Sequence, residues 1–327
     1  MASSEQLKAL LLSHLTGDDE RFLSIALQVA AHEARIGHGK LAVELRDIVE
    51  KAKKQAKSAV VPVPIAKGLK DATGLLYATT PQVRLNDLVT TDEVRDKLTR
   101  VIREQRHLGK LKSHGLAPRR RLLLVGPPGT GKTFTASVLA GELDYPLFQV
   151  RLDAVITKFM GESSAKLRQV FDAIREVRGV YFFDEFDALG TQRAMPNDVG
   201  EARRILNSFL QMIEQDDSNS VIVCATNHVQ MLDYALFRRF DDVIQYRLPG
   251  KEEIVSLFRS RLKPYVEKAF PWAELAKKAE GLSSAEVTLA AQDAIKELLI
   301  HEHEIITVEM VESAIEDRRG MSHEMHR

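Results

Sequence analysis

The segment Gly126-Pro-Pro-Gly-Thr-Gly-Lys-Thr133 constrains the fold of this chain more than any other. Four apolar residues, Leu122-Leu-Leu-Val125, run directly into it, and Ala136, Val138 and Leu139 follow at helical spacing. A loop of glycines and prolines between a buried strand and a helix predicts an α/β layer, in which strands and helices alternate. The spacing is G-x-x-x-x-G-K-[ST], in the strand-before, helix-after context that the pattern requires. Glycines let backbone N–H groups converge on phosphate oxygens, and the helix N-terminus adds a favourable dipole. Gly126, Pro127, Pro128, Gly129, Thr130, Gly131, Lys132, Thr133 and Phe134 are therefore the candidate phosphate-binding segment. Lys132 is placed to balance β- and γ-phosphate charge, and the Thr133 hydroxyl is a candidate Mg²⁺ ligand.

Further apolar runs alternate with helical patterns: Leu147-Phe-Gln-Val150, Val180-Tyr-Phe-Phe183, Val221-Ile-Val-Cys224 and Val243-Ile-Gln-Tyr246. With Leu122-Leu-Leu-Val125 they predict a five-stranded parallel sheet covered on both faces. The third run ends in Asp184-Glu185, which delivers two carboxylates to the phosphate end of the sheet. Asp184 is the candidate Mg²⁺ ligand, and Glu185 the group that polarises the attacking water. The fourth run continues through Thr226 to Asn227, whose amide can orient that water without carrying charge, with Thr226 as the runner-up. ATP and Mg²⁺ are the expected ligands.

Outside this layer the chain reads as helical. Three helices are expected over residues 1–56, since Leu7, Leu10, Leu11 and Leu15, then Phe22, Ile25, Ala26 and Val29, then Leu41, Leu45 and Ile48 recur at helical spacing. Such a bundle suits docking of a substrate or partner. Residues 57–83, with Val61-Pro-Val-Pro64, read as a linker because proline forbids a central strand or helix. The α/β domain spans 84–248, a helical lid 249–318 and a flexible tail 319–327. Ser283 and Glu286 have capping-box spacing, which places a helix start in the lid.

Composition narrows the classes that remain. Lys and Arg total 46 against 46 Asp and Glu, so no global charge attracts nucleic acid, and a DNA-directed ATPase is disfavoured. The longest apolar run, residues 59–66, contains two prolines and is far short of the ~20 residues of a membrane span. The first residues lack a basic stretch followed by an apolar one, so no signal peptide is expected. The one cysteine, Cys224, fits a reducing compartment, and a cytoplasmic protein is the expectation. His301-Glu-His-Glu304 lacks companion cysteines, and His323-Glu-Met-His326 is one residue short of H-E-x-x-H, so neither reads as a metal site. Arg119-Arg-Arg121 reads as a solvated basic face.

The phosphate loop, the Asp184-Glu185 strand end and the Asn227 strand end, in this order, resemble those of the AAA family of ATPases. The match extends over residues 84 to about 317. Leu85-Asn-Asp-Leu-Val89 is similar to the family's entry segment near the adenine pocket, and Leu232-Asp-Tyr-Ala-Leu-Phe-Arg-Arg-Phe-Asp241 to its second region of homology. Gly281-Leu-Ser-Ser-Ala-Glu-Val287 resembles the start of the lid, with Ser284-Ala285-Glu286 replacing the usual residues. The motifs are nearest to the meiotic branch that includes katanin and spastin. The N-terminal stretch from Ala30 to Leu41 also resembles bacterial AAA ATPases encoded beside subtilisin-like serine proteases. The resemblance implies a phosphate-loop NTPase fold and a homo-oligomeric ring, most often a hexamer. Arg238 and Arg239 would then be arginine-finger candidates that reach a neighbouring subunit's γ-phosphate, and Lys158, Phe159, Met160 and Gly161 a pore loop that grips polypeptide. Glu201 and Arg203, near a second such loop, would link subunits. Two readings follow. One is an ATP-driven protein remodeller that threads polypeptide past Phe159. The other is a nucleotide-dependent regulator, antitoxin-like, of a partner such as a separately encoded protease.

Overall fold

The computed structural model describes residues 25–26, 28–32, 43, 46, 72, 74–156, 162–189, 199–228 and 234–325. The chain divides into two units, Met1–Val61 and Pro62–Arg327. In the first, the described residues among 25–32 are helical, and Val29 and Ala30 are buried. The second unit holds the elements that follow.

Six strands make one sheet: β1 (Leu76–Thr79), β2 (Arg121–Val125), β3 (Leu147–Val150), β4 (Val180–Phe183), β5 (Val221–Thr226) and β6 (Asp242–Gln245). They lie in the order β1-β3-β4-β5-β2-β6. The last five are parallel, as their near-continuous apolar sequences predict. β1 is an addition: it pairs antiparallel with β3, Leu76 opposite Val150 and Thr79 opposite Leu147, inside the stretch read as linker. Four residues, even between Gly74 and Pro81, are too short for alternation to be recognised.

Successive β2 side chains point to opposite faces, as the pleat requires. Leu122 and Leu124 pack with α1 (Asp92–Arg106) and α2 (Lys132–Leu143), through Leu98, Ile102, Ala136 and Leu139. Leu123 and Val125 face the opposite core, which α3 (Glu162–Glu176) and α4 (Val199–Gln215) fill with Leu167, Phe171, Phe209 and Ile213. From β2 the chain crosses to β3, and β4 and β5 later fill the gap between them. The connections after β2 and β5 thus diverge beside each other, and such a switch point opens a crevice at the C-terminal ends of parallel strands.

The lid has its own core. Ile254 and Phe258 of α5 (Lys251–Leu262) and Leu275 of α6 (Trp272–Lys278) pack with Val287 and Ala291 of α7 (Ser284–Ile300) and Val311 and Ile315 of α8 (Val308–Met325). α8 runs to Met325, through most of the expected tail, with the Arg319 guanidinium donating to the Glu280 carbonyl at 2.8 Å. The run Arg119-Arg-Arg121 is a correction to the expected solvated face. Arg119 pairs with Glu104, Arg120 with the fully buried Asp216 side chain, and Arg121 with Asp241 at 2.7 Å. Carboxylates from three separate segments converge where β2 begins, a convergence that local sequence cannot reveal.

Candidate functional site

The crevice above β2 and β5 opens into a cavity of about 630 Å³. Residues 128–134 form its floor, Asp184, Glu185 and Asn227 one end, residues 87–89 one wall and the lid the other. The loop leaves β2 at Gly126, whose φ is +148° and where a Cβ would collide with the Tyr246 backbone. Only glycine lets the chain turn there. Gly131 precedes α2, so the first amides of that helix face the cavity. Beneath the loop, the Tyr246 and Thr135 hydroxyls share a buried hydrogen bond of 2.6 Å. Burial raises the Tyr246 phenol above its ordinary range, and the bond to Thr135 offsets part of that rise.

Lys132 is buried, and its ammonium donates to the carbonyls of Gly126 at 2.8 Å and Pro127 at 2.7 Å. Burial pulls its pKa below the usual lysine range, and the Asp184 and Asp187 charges oppose that. The Thr133 hydroxyl donates to Asp184 Oδ2 at 2.9 Å. A hydroxyl and a carboxylate so close, beside a lysine and a helix N-terminus, are hard oxygen donors suited to Mg²⁺ next to a polyphosphate. The residues present therefore fit both expected ligands.

Glu185 follows β4 with φ at +48°, the left-handed region that non-glycine residues avoid, and its side chain is exposed. Such backbone costs of order 1–3 kcal/mol and concentrates at functional sites. The Glu185 amide donates to Asp184 Oδ1 at 3.0 Å, which ties the two acidic residues into one turn. At the end of β5 the two candidates separate. Thr226 is buried and donates to Asp187 Oδ1 at 2.8 Å, while its oxygen accepts from the His228 amide. Asn227 lines the cavity instead, and its Oδ1 is buried with no hydrogen-bond partner among the described residues.

Gly129 to Phe134, Pro128, Asp184, Glu185 and Asn227 thus meet in one cavity. Arg238 and Arg239 do not line it. They follow a short helix, Tyr234–Phe237, and Arg239 pairs with Glu214 of α4 while Arg238 is exposed. Lys158, Phe159, Met160 and Gly161 lie outside the described residues. Glu201 and Arg203 fall on α4.

The lid supplies the rest of the wall: Leu257, Ser260 and Arg261 from α5, and Ser284, Ala285, Thr288, Leu289 and Gln292 from α7. Ser284 and Ala285 belong to the stretch that resembles the family's lid, and no motif marks the others. They do share helix faces, at i, i+3 and i+4 in α5 and at i, i+4 and i+8 in α7, beside the apolar faces that build the lid core. The lid is joined directly to the loop, because the Ala285 amide donates to the Gly129 carbonyl at 2.9 Å.

Residues 122–248 match the model of the ATPase family associated with various cellular activities. An AAA family ATPase of Sinorhizobium fredii, y4kL, itself uncharacterised, is 33% identical over 97% of this chain and 96% of its own length. The chain belongs to the AAA family of ATPases. Other AAA relatives align through part of their length. The ATP-dependent zinc metalloprotease FtsH of Helicobacter felis is 30% identical over 69% of this chain, and the protein SAV of Sulfolobus acidocaldarius 31% identical over 76%. The matched regions are 37% and 35% of those two proteins, so this AAA chain spans little more than a third of either.

Proposed function

We propose that this protein hydrolyses ATP with Mg²⁺ and uses the energy to remodel other proteins as a ring of identical subunits. The observation that carries the ATPase reading is the Thr133–Asp184 hydrogen bond of 2.9 Å beside the buried Lys132, at the head of α2. Thr133 and Asp184 would hold Mg²⁺, which supplies charge neutralisation at the phosphate oxygens. Lys132 and the first amides of α2 bind the β- and γ-phosphates. Asn227, which lines the cavity, orients the attacking water through its side-chain amide. Glu185 takes that water's proton as its oxygen bonds to the γ-phosphorus and the bond to the β-phosphate oxygen breaks.

Remodelling is supported by the FtsH relatives, whose name couples ATP use to proteolysis, and by Phe159, an aromatic beside Met160 and Gly161 just ahead of α3. Among the described residues no cluster of three or more His, Cys, Asp or Glu side chains is placed to hold a metal. Arg238 and Arg239 serve as inter-subunit arginines in this reading.

The test is a pair of variants in the full chain. Glu185→Gln should bind ATP normally and lose roughly 10²–10⁴-fold in turnover, the range of a general base. Lys132→Ala should lose nucleotide binding itself. Turnover of Glu185→Gln near that of the unmodified chain would remove Glu185 from the base role.

A further inference from the structure

The wall formed by residues 87–89 is held in place by groups that the mechanism above leaves unused. Gly141, near the end of α2, lets the preceding segment lie against the helix, since a Cβ there would collide with the Val83 carbonyl. The Arg84 guanidinium donates to the Gly141 carbonyl and, at 3.0 Å, to Asp144. Glu142 then fixes the chain itself: its Oε1 accepts from the Leu85 amide at 2.9 Å, and its Oε2 from Arg106 at 2.7 Å. From the other side, Arg95 of α1 donates to the carbonyls of Leu85 at 3.3 Å and Leu88 at 2.8 Å. Beyond these anchors Asp87, Leu88 and Val89 line the cavity, as do Leu257 and Leu289 of the lid.

The same helix therefore sets both ends of the site. α2 starts at the phosphate loop and carries Glu142 in its last turn, and it is buried along most of its length between these points. A wall tied to its far end sits at a fixed distance from the phosphates. Apolar groups such as Leu88, Val89, Leu257 and Leu289 lining one cavity suit a flat aromatic base.

We propose that Glu142 and Arg95 are positioning residues for the base end of the nucleotide, holding residues 87–89 at a set distance from the phosphate loop. The proposal rests on the reading of this cavity as the ATP site. Its signature is selectivity: loss of either anchor should weaken binding of a ligand with a base and spare one that has only phosphates.

Calorimetric titration of the full chain with Mg-ATP and with Mg-tripolyphosphate measures this. Glu142→Ala and Arg95→Ala should each bind ATP roughly five- to tenfold more weakly, the worth of one or two hydrogen bonds, with tripolyphosphate affinity held. KM for ATP should rise in step while kcat is largely kept. Arg95→Lys, which keeps the charge and one of the two bonds, should fall between. Unchanged ATP affinity in Arg95→Lys and either alanine variant would overturn the proposal. So would a parallel loss of tripolyphosphate, which would mark a general disturbance of the loop. An unmodified chain that binds tripolyphosphate as tightly as ATP has no base wall, and the proposal falls while the phosphate site stands. One that binds neither ligand removes the ATP reading as well.

Discussion

Lys132 carries a cost that ATP relieves. Burial holds its pKa below the ordinary lysine range although two carbonyls accept from it. In the unfolded chain the same ammonium is fully hydrated. Between the lowered folded pKa and the ordinary one, the unfolded state thus binds more protons, and this residue's contribution to stability rises with pH. Below that window the buried charge works against folding at full strength. Phosphate reverses the balance by raising the pKa again, so ATP binding takes up a proton wherever the pH lies between the free and bound values. Affinity should then fall about tenfold per pH unit through that alkaline window. Calorimetric Kd values measured from neutral pH upward check it, and a flat profile to the ordinary lysine range would mean that Lys132 is not desolvated. Lys132→Met should abolish ATP binding without lowering the apo Tm. Thr226 and Asn227 illustrate what sequence can and cannot separate at this scale. Both are polar residues at the end of one apolar strand, and either can face a cavity. Hydrogen bonding decides between them: Thr226 is spent on Asp187, while Asn227 lines the cavity.

Among the elements, α7 has the clearest mechanical role. Its capping box closes as its spacing predicts: the Ser283 hydroxyl accepts from the Glu286 amide at 3.3 Å, and Glu286 accepts from the Ser283 amide at 2.7 Å. This brings Ala285 onto the Gly129 carbonyl, so the lid rests on the phosphate loop. Ser283→Ala should cost about 1 kcal/mol, typical of a lost N-cap. Hydrogen exchange should place that loss in the first turn of α7, and ATP should dissociate faster. Uniform loosening of all four lid helices would argue that the cap supports the lid as a whole instead. The five parallel strands, the helix after the loop and this cap were legible because each has a local signal: an apolar run, a glycine pattern, a Ser-x-x-Glu spacing. β1 is too short to read between Gly74 and Pro81, and its four residues gain their strand character by pairing with β3. The lid's cavity face was equally silent, because Leu257, Arg261 and Gln292 become neighbours of Asp184 only through tertiary packing. The arginine run before β2 misled for the same reason, as its acidic partners lie as far away in the chain as Asp241.

For the whole molecule the open variable is assembly, because one chain's cavity is lined by neither Arg238 nor Arg239. If an arginine from a neighbour completes the site, turnover per subunit should climb with protein concentration through the assembly threshold. Of the two, Arg238 is the more exposed, and it is the expected finger on that ground. Arg238→Ala should lose roughly 10³–10⁵-fold in turnover, the range of arginine fingers in phosphate-loop enzymes, and Arg239→Ala much less. A mixing experiment separates a trans from a cis arginine. Chains carrying Arg238→Ala keep Glu185, and chains carrying Glu185→Gln keep Arg238. Each is nearly inactive alone, but a mixed ring contains interfaces where an intact Glu185 meets an intact Arg238. Co-refolded or subunit-exchanged mixtures should therefore turn over ATP well above the mean of the two parents. Activity at that mean would place Arg238 in cis or outside the reaction. Phe159→Ala completes the argument at this scale. It alters neither Glu185 nor Arg238, so it should leave the mixing result intact while removing work on a protein substrate. A variant that still remodels its substrate would instead favour a nucleotide-dependent regulator that binds its partner without threading it.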